Sequence, residues 1–307
     1  MVAPDSYAGR FQAAVQVAAT VRPLQAKPVL ILGDSTMGEG FSARIADQTA
    51  GGRVRFVNGS IPGASLRTWY YLLREVDPER SAFSVIVLPV DAYDDEDGPW
   101  DRDDNANDVR IVVPALRISD VAEWTRSFRK WDARWRAFCE AMLKGLVYRQ
   151  DLRDLLSHPG ERLARVDESS ANIARWAYDY DGRNQEFNPA DREIQAMIHR
   201  QPSPQTGVYK AYRTYWLGKL MAPYGHGTRF LIVRAPRNPL PIARYARYDS
   251  QSSIRTAKSR ANVVVADEDL FDDLERPNYF CDALHMNSAG RRLFSSRLAS
   301  LVLRVFF

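Results

Sequence analysis

The sequence predicts an α/β protein, a three-layer α/β/α sandwich with about five parallel strands and a large, mainly helical insertion. Two observations support this class. Five short runs are apolar almost throughout, as strands buried on both faces are, and the first three are separated by lengths that suit crossover helices. The five runs are residues 29–32, 54–57, 85–90, 230–233 and 263–266.

Helices are expected around these strands. Residues 42–49 and 66–76 connect the first three strands, and residues 7–21 carry a helical apolar pattern before them. The last helix is expected to follow the sequence Asn-Ser-Ala-Gly at 287–290. Its apolar face is formed by Leu293, Phe294, Leu298, Leu301 and Val302.

About 140 residues separate the third and fourth strands, which is far too many for a simple crossover. We interpret residues 96–225 as a mainly helical insertion within a single domain, 1–307, and not as an independent domain. Helices are predicted over residues 121–146, 148–155 and 208–221.

The first of these helical patterns is rich in aromatic residues. They recur at spacings of three or four, which places them on one helix face. That spacing predicts ordinary core packing, and a surface that stacks on a glycan or a partner is the alternative. The residues are Trp124, Phe128, Trp131, Trp135, Phe138 and Met142.

Composition excludes several classes of protein. Lys and Arg number 42 and Asp and Glu 38, and the net charge of +4 is too mild to indicate nucleic-acid binding. No apolar stretch is long enough for a transmembrane helix, and the first residues do not form a secretory signal. Cys139 and Cys281 are expected to be free thiols, with one disulfide as the alternative. No nucleotide-binding or zinc motif is present, so we expect neither a cofactor nor a metal.

The first strand ends in Gly33-Asp34-Ser35. A serine at this point lies at the carboxyl edge of a parallel sheet, where open α/β sheets bind ligands. The helix that follows adds backbone donors and a positive potential that favour a developing anion. Taken alone, Gly-Asp-Ser more often means that Asp34 or Ser35 caps that helix.

A second motif, Asp282-x-x-His285, comes just before the last helix. A histidine within hydrogen-bond reach of a serine can act as its base, and a carboxylate can hold the imidazole in the required tautomer. Together the two motifs predict a catalytic triad, with Ser35 as nucleophile, His285 as base and Asp282 as the group that orients His285.

The chain resembles the SGNH, or GDSL-type, hydrolase superfamily over about residues 28–95 and 228–305. The matching elements are Gly33-Asp34-Ser35, the Asp282-x-x-His285 pair, and the sequence NGSIPG at 58–63 after the second strand. The family places an oxyanion-hole glycine in this last segment, and Gly63 matches it. The resemblance implies a flavodoxin-like sandwich and an oxyanion hole formed by the backbone N–H groups of Ser35 and Gly63.

One element departs from the family. After the third strand the family usually has a Gly-x-Asn-Asp segment, whose Asn donates to the oxyanion. Here the segment reads LPVDAYDD at 88–95, and the position nearest the Asn is Asp91. An ionised carboxylate accepts hydrogen bonds and does not donate them. Either another donor replaces the Asn, or the hole is weaker, or the site no longer performs fast hydrolysis.

The segments LPVDAYDD and DALHMNSAG also resemble SGNH-like proteins that accompany membrane-bound O-acyltransferases in bacterial envelope polysaccharide modification. This resemblance implies a small acyl group, such as acetyl, on a cell-envelope carbohydrate as substrate. It makes a membrane-bound O-acyltransferase a candidate partner. It favours a periplasmic or other extracytoplasmic domain that lacks its anchor, with a cytoplasmic location as the alternative.

Further side chains near the expected catalytic edge are candidates for binding substrate: Asp91, Tyr93 and Arg237. The acidic residues 94–97 could bind a divalent cation, but without EF-hand spacing we expect a solvated loop.

The leading hypothesis is serine-dependent ester chemistry, as carboxyl-ester hydrolysis or as O-acyl transfer, which share every catalytic residue. Two alternatives remain open. One is a non-catalytic polysaccharide-binding or scaffolding module, which Asp91 favours. The other is a lipase or thioesterase, which would need a long apolar acyl pocket.

Overall fold

The computed structural model describes residues 6–20, 27–95, 105–161, 164, 183–184, 187–188, 206–225, 227–236 and 249–307. The strands are β1 Lys27–Ile31, β2 Val54–Asn58, β3 Val85–Val90, β4 Arg229–Arg234 and β5 Val263–Val265. The α-helices are α1 Tyr7–Thr20, α2 Ser35–Gly40, α3 Ala43–Ala50, α4 Leu66–Val76, α5 Ala106–Val112, α6 Val121–Arg126, α7 Trp131–Met142, α8 Arg149–Ser157, α9 Thr206–Met221, α10 Ser253–Ala257 and α11 Ser288–Phe306. Short 3-10 helices are Val113–Ala115, Ile118–Asp120, Lys144–Leu146, Asp272–Leu274 and Pro277–Tyr279.

The five strands form one parallel sheet in the order β2-β1-β3-β4-β5, which confirms the predicted strands and the flavodoxin-like arrangement. β1 has β2 on one side and β3 on the other. The chain therefore leaves β1 and β2 in opposite directions across the sheet, and a crevice opens at the carboxyl end of β1. The residues that follow β1 are placed at this crevice.

Helices cover both faces of the sheet, so the molecule has the predicted three layers. Successive residues of a strand point to opposite faces, and accordingly Leu30 and Ile31 belong to different core clusters. The cluster around Leu30 includes side chains from α1, α4, α5, α6 and α9, whereas the cluster around Ile31 includes side chains from α2, α3 and α11. The described part of the insertion thus packs mainly on one face.

The continuous helix predicted over residues 121–146 is wrong. The chain forms α6 and then, after a break at 127–130, α7. The Ser127 hydroxyl donates to the Trp124 carbonyl (2.6 Å), and the Ser127 carbonyl accepts from Nη2 of Arg67 (2.9 Å). Because the Ser127 carbonyl accepts a hydrogen bond from this α4 side chain, it does not accept one from the next helical turn, and α6 ends here.

The core packing predicted for the aromatic residues holds for only part of the set. Trp124 and Phe128 are fully buried, whereas Trp131 and Trp135 are exposed. α7 therefore turns its large apolar side chains away from the core, contrary to the expectation.

Both cysteines are free, as predicted, with Cys281 buried and Cys139 partly exposed. Among the described residues, no helix combines the length and apolarity required to span a membrane.

Candidate active site

Ser35 is the first residue of α2 and lies at the carboxyl edge of the sheet, just after β1. Asp34 is the N-cap of α2, and its carboxylate accepts hydrogen bonds from the backbone and the hydroxyl of Thr36 at 2.9 and 2.6 Å. The capping role proposed for the motif thus belongs to Asp34. The hydroxyl of Ser35 is left for a different partner.

That partner is His285, whose Nε2 lies 3.0 Å from Oγ of Ser35. Its Nδ1 lies 2.9 Å from Oδ2 and 3.0 Å from Oδ1 of Asp282. With the Nδ1 proton directed to the carboxylate, Nε2 is the acceptor for the serine hydroxyl. The structure therefore brings together the three residues predicted as a triad.

Asp282 also shapes the turn that carries His285. Its Oδ1 accepts the backbone N–H groups of Leu284 (2.9 Å) and His285 (2.8 Å). Burial alone would raise the pKa of Asp282, but the hydrogen bonds from His285 and from these N–H groups lower the pKa to about 2. The carboxylate is therefore ionised at neutral pH and held in one orientation.

Two further charged residues lie beside His285. Oε1 of Glu39 is 4.0 Å from His285 Nε2. Arg183 donates from Nη2 to Oε1 of Glu39 (2.8 Å) and from Nη1 to Oδ2 of Asp282 (3.3 Å). Burial opposes protonation of His285, but the hydrogen bond and charge of Asp282, with the charge of Glu39, raise its pKa; Arg183 acts in the opposite direction.

The sequence analysis missed both of these residues. Glu39 follows Ser35 by four positions, so its place on the same side of α2 could have been recognised from helical spacing. Arg183 lies in the insertion and has no local signal, because only the tertiary structure brings it to the triad.

The loop after β2 is hydrogen-bonded to the loop after β1. The carbonyl of Gly33 accepts the N–H of Ile61 (3.0 Å) and Nε1 of Trp69 (3.2 Å). A side chain at position 33 would collide with Met37, because a Cβ there would lie 2.4 Å from the Cβ of Met37. These contacts bring the segment that contains Gly63 to the loop that contains Ser35.

Gly63 has a φ of +78°, a conformation that L side chains rarely adopt. Within the described part of the chain, the backbone N–H groups of Ser35 and Gly63 have no hydrogen-bond acceptor. Two unused donors at this edge of the sheet match the oxyanion-hole positions predicted for these residues.

Asn107, in the first turn of α5, lies directly against Gly63. A Cβ on Gly63 would be 2.9 Å from the Asn107 Nδ2 atom. The amide of Asn107 makes no side-chain hydrogen bond to the described residues. Asn105, the N-cap of α5, donates from Nδ2 to the Gly63 carbonyl (3.1 Å), which fixes the start of the helix on this turn.

Asp91 is the position nearest the expected Asn, and its carboxylate was not expected to donate to an oxyanion. Asp91 directly follows β3 and is partly buried, but the side chain against Gly63 is that of Asn107. The pair Asn107-Asp108 was present in the sequence and could have been considered. It was missed because the acidic stretch separates that pair from the strand.

Asp108 anchors α5 to α4 through a fully buried network. Its carboxylate is 3.2 Å from Nη1 of Arg67, and it accepts the hydroxyls of Ser65 and Thr68, both at 2.7 Å. Burial raises the pKa of Asp108, while Arg67 and the hydroxyl donors act to lower it. Since the network fixes the first turn of α5, it also fixes Asn107 relative to Gly63.

The other predicted site residues have different positions. Tyr93 is buried, and its hydroxyl donates to the Ala266 carbonyl (2.9 Å), so it offers no free group to a substrate. Arg237 lies outside the described residues.

The solvated loop expected for the acidic residues is wrong for Asp94 and Asp95, which are buried. Asp95 pairs with Arg213 at 3.1 Å, and Asp94 pairs with Arg255. Residues 96 and 97 lie outside the described residues. Within the described part of the chain, no cluster of His, Cys, Asp and Glu could hold a metal ion.

No protein-family model matches the chain, and no curated protein matches it in sequence.

Proposed function

We propose that this chain is a serine-dependent ester-processing enzyme, a carboxyl-ester hydrolase or an O-acyltransferase, with Ser35 as nucleophile. One observation carries the proposal: the unbroken hydrogen-bonded series from Ser35 Oγ through His285 to Asp282, with Nε2 of His285 at 3.0 Å from the hydroxyl. This is the arrangement of nucleophile, base and orienting carboxylate that acyl transfer requires.

In the first half-reaction, the Ser35 oxygen attacks the ester carbonyl carbon while its proton passes to Nε2 of His285. Asp282, ionised at neutral pH, stabilises the imidazolium that forms. The tetrahedral intermediate then collapses, the bond to the leaving alkoxy group breaks, and His285 returns the proton to the departing alcohol. An acyl-Ser35 ester remains.

In the second half-reaction, His285 removes a proton from the acceptor hydroxyl, whose oxygen attacks the acyl-Ser35 carbonyl. Collapse of the second intermediate releases the acyl group to the acceptor and returns the proton to Ser35. The acceptor is water in a hydrolase and a sugar hydroxyl in a transferase.

The negative charge of each intermediate is stabilised by the backbone N–H groups of Ser35 and Gly63 and by the side-chain amide of Asn107. All three donors lack an acceptor within the described structure. One such donor is typically worth about 3–4 kcal/mol of transition-state stabilisation. Asn107 therefore replaces the donor that Asp91 could not provide.

The substrate class rests on the sequence resemblance. We infer a small acyl group, with acetyl first, on a carbohydrate of the cell envelope, and a membrane-bound O-acyltransferase as partner of an extracytoplasmic domain. The intact triad favours catalysis over a non-catalytic binding module, because a binding module has no need for a histidine base aligned on a serine.

The test is hydrolysis of p-nitrophenyl acetate by the wild type and by Ser35→Ala, with Ser300→Ala as the matched control. Ser300 is an exposed serine on α11, so its loss should leave activity unchanged. Activity should disappear in Ser35→Ala alone, and mass spectrometry should find the acyl group on Ser35. Equal rates in all three proteins would contradict the proposal.

A second arm separates hydrolysis from transfer. Adding oligosaccharide acceptors should divert the acetyl group from water to sugar if the enzyme is a transferase. Release of acetate that is unaffected by acceptors would assign the chain to the hydrolases.

A further inference from the structure

α7 packs against the rest of the molecule with its small residues. The only side chains of α7 that are fully buried are those of Ala137 and Ala141. Trp131 is 76% exposed, Trp135 57% and Met142 51%. The usual order of an amphipathic surface helix, with large apolar residues inward, is reversed here.

The exposed residues form one continuous surface. Trp131, Trp135, Phe138 and Met142 follow one another at spacings of four, three and four, so they share one side of α7; we call this the apolar face. The rings of Trp135 and Phe138 stack with centroids 5.9 Å apart. An exposed apolar surface of this kind on a folded protein marks an interaction site.

The chain continues from this face with more exposed aliphatic residues. Leucines follow in the loop and 3-10 helix after α7 and on α8, where none of the side chains that the structure describes is fully buried. These leucines are Leu143, Leu146, Leu152 and Leu156. Exposed aliphatic side chains in the same segment as the aromatic ones favour an apolar medium over a sugar ring, which stacks on aromatic faces.

The segment around the apolar face is strongly basic. Residues 126–153 contain eight Lys and Arg against three Asp and Glu, a net charge of +5, whereas the whole chain carries +4. The segment that contains the apolar face is therefore more basic than the rest of the chain, although Arg134 donates to the Phe128 carbonyl and Lys144 to the Pro114 and Leu116 carbonyls. Trp, Phe and Leu flanked by Lys and Arg are typical of helices that lie in the interface of an anionic bilayer.

We propose that the apolar face of α7 docks this protein on the surface of a bilayer that contains anionic phospholipids. The aromatic side chains enter the boundary between headgroups and acyl chains, and the basic residues contact the lipid phosphates. A second copy of the chain is a poor occupant, because a two-fold interface would place one positive segment against an identical one. The docking does not depend on the chemistry at Ser35.

The test is co-sedimentation of the full chain with vesicles of phosphatidylcholine, with and without phosphatidylglycerol. We expect binding to the vesicles with phosphatidylglycerol, a blue shift of tryptophan fluorescence, and weaker binding as salt rises. The double variant Trp131→Ser/Trp135→Ser should bind at least about tenfold more weakly. Leu293→Ser, which removes an exposed apolar residue of α11, is the matched control and should bind like the wild type.

The charge is tested separately with Lys130→Glu/Arg136→Glu, which should also lose binding while thermal unfolding stays unchanged. Three results would overturn the proposal: no binding to the anionic vesicles at low salt, equal binding to both kinds of vesicle, or equal binding by Leu293→Ser and the double tryptophan variant. If the protein does not bind vesicles but forms concentration-dependent dimers, and the dimers are lost in the double tryptophan variant, the apolar face would be assigned to a second copy instead.

Discussion

Arg183 and Glu39 form an ion pair beside His285, with Nη2 of Arg183 2.8 Å from Oε1 of Glu39. The same carboxylate oxygen lies 4.0 Å from Nε2 of His285, the nitrogen that faces Ser35. Glu39 is therefore close enough to influence the base, and Arg183 holds and partly neutralises it. A residue of the insertion thus reaches the centre of the candidate active site.

Removal of Arg183 should raise the pKa of His285. Glu39 and Asp282 both favour the imidazolium and Arg183 opposes it, so Arg183→Met leaves the two carboxylates uncompensated. Because the base must be neutral to accept the serine proton, the acidic limb of the pH–rate profile should shift to higher pH. NMR titration of His285, assigned with His285→Gln, measures the same shift without relying on activity.

Two companion variants sharpen this comparison. Arg183→Lys keeps the charge and should leave the profile close to that of the wild type. Arg183→Met/Glu39→Gln removes both charges and should return the pKa of His285 towards its original value. A pKa that does not move in Arg183→Met would refute the electrostatic role.

Gly63→Ala should abolish most activity. A Cβ at this position meets the Asn107 amide at 2.9 Å, and the φ of +78° is unfavourable for alanine. Displacement of the turn should lower kcat by about 10²–10³-fold, the usual loss for one oxyanion donor. Gly52→Ala is the control, since Gly52 has a φ of +77° and open space around it. Similar kcat losses in both variants would trace the effect to backbone strain alone.

Asn107→Ala should lower kcat by about 10²–10³-fold with little change in stability. Its amide makes no hydrogen bond to the described residues, so folding loses little when it is removed. Asn105→Ala removes the N-cap of α5 and the hydrogen bond to the Gly63 carbonyl, so it should destabilise the protein by about 0.5–2 kcal/mol as well as lower kcat. Steady-state kinetics and thermal unfolding of both variants separate the two roles. Unchanged kcat in Asn107→Ala would remove this residue from the oxyanion hole.

Asp108→Asn should destabilise the protein by about 3–5 kcal/mol, because it leaves the guanidinium of Arg67 buried without its counter-charge. Asp273→Asn breaks the exposed Arg297–Asp273 pair and should change stability by less than about 1 kcal/mol. Urea unfolding measures both. Equal effects would mean that the buried pair contributes no more than an exposed one.

The sheet and the grouping of Ser35, His285 and Asp282 were predictable from the sequence for a physical reason. Buried parallel strands must be apolar on both faces, which leaves short unbroken runs, and Ser35 and His285 each lie at the boundary of an element that could be recognised locally. The break between α6 and α7 could not be predicted, since it depends on Arg67 from another helix. Periodicity showed that Trp131 and Trp135 share a face, but it does not tell whether a face points inward or outward.

The distance in sequence between Ser35 and His285 has a consequence for biosynthesis. Ser35 lies on α2, and His285, its hydrogen-bond partner, follows 250 residues later. In a nascent chain, Ser35 therefore cannot pair with His285 until β4 and β5 have joined the sheet and the turn before α11 has been synthesised. Under the proposed function, rapid acylation of Ser35 should therefore begin only once the chain has been synthesised past His285 and has folded.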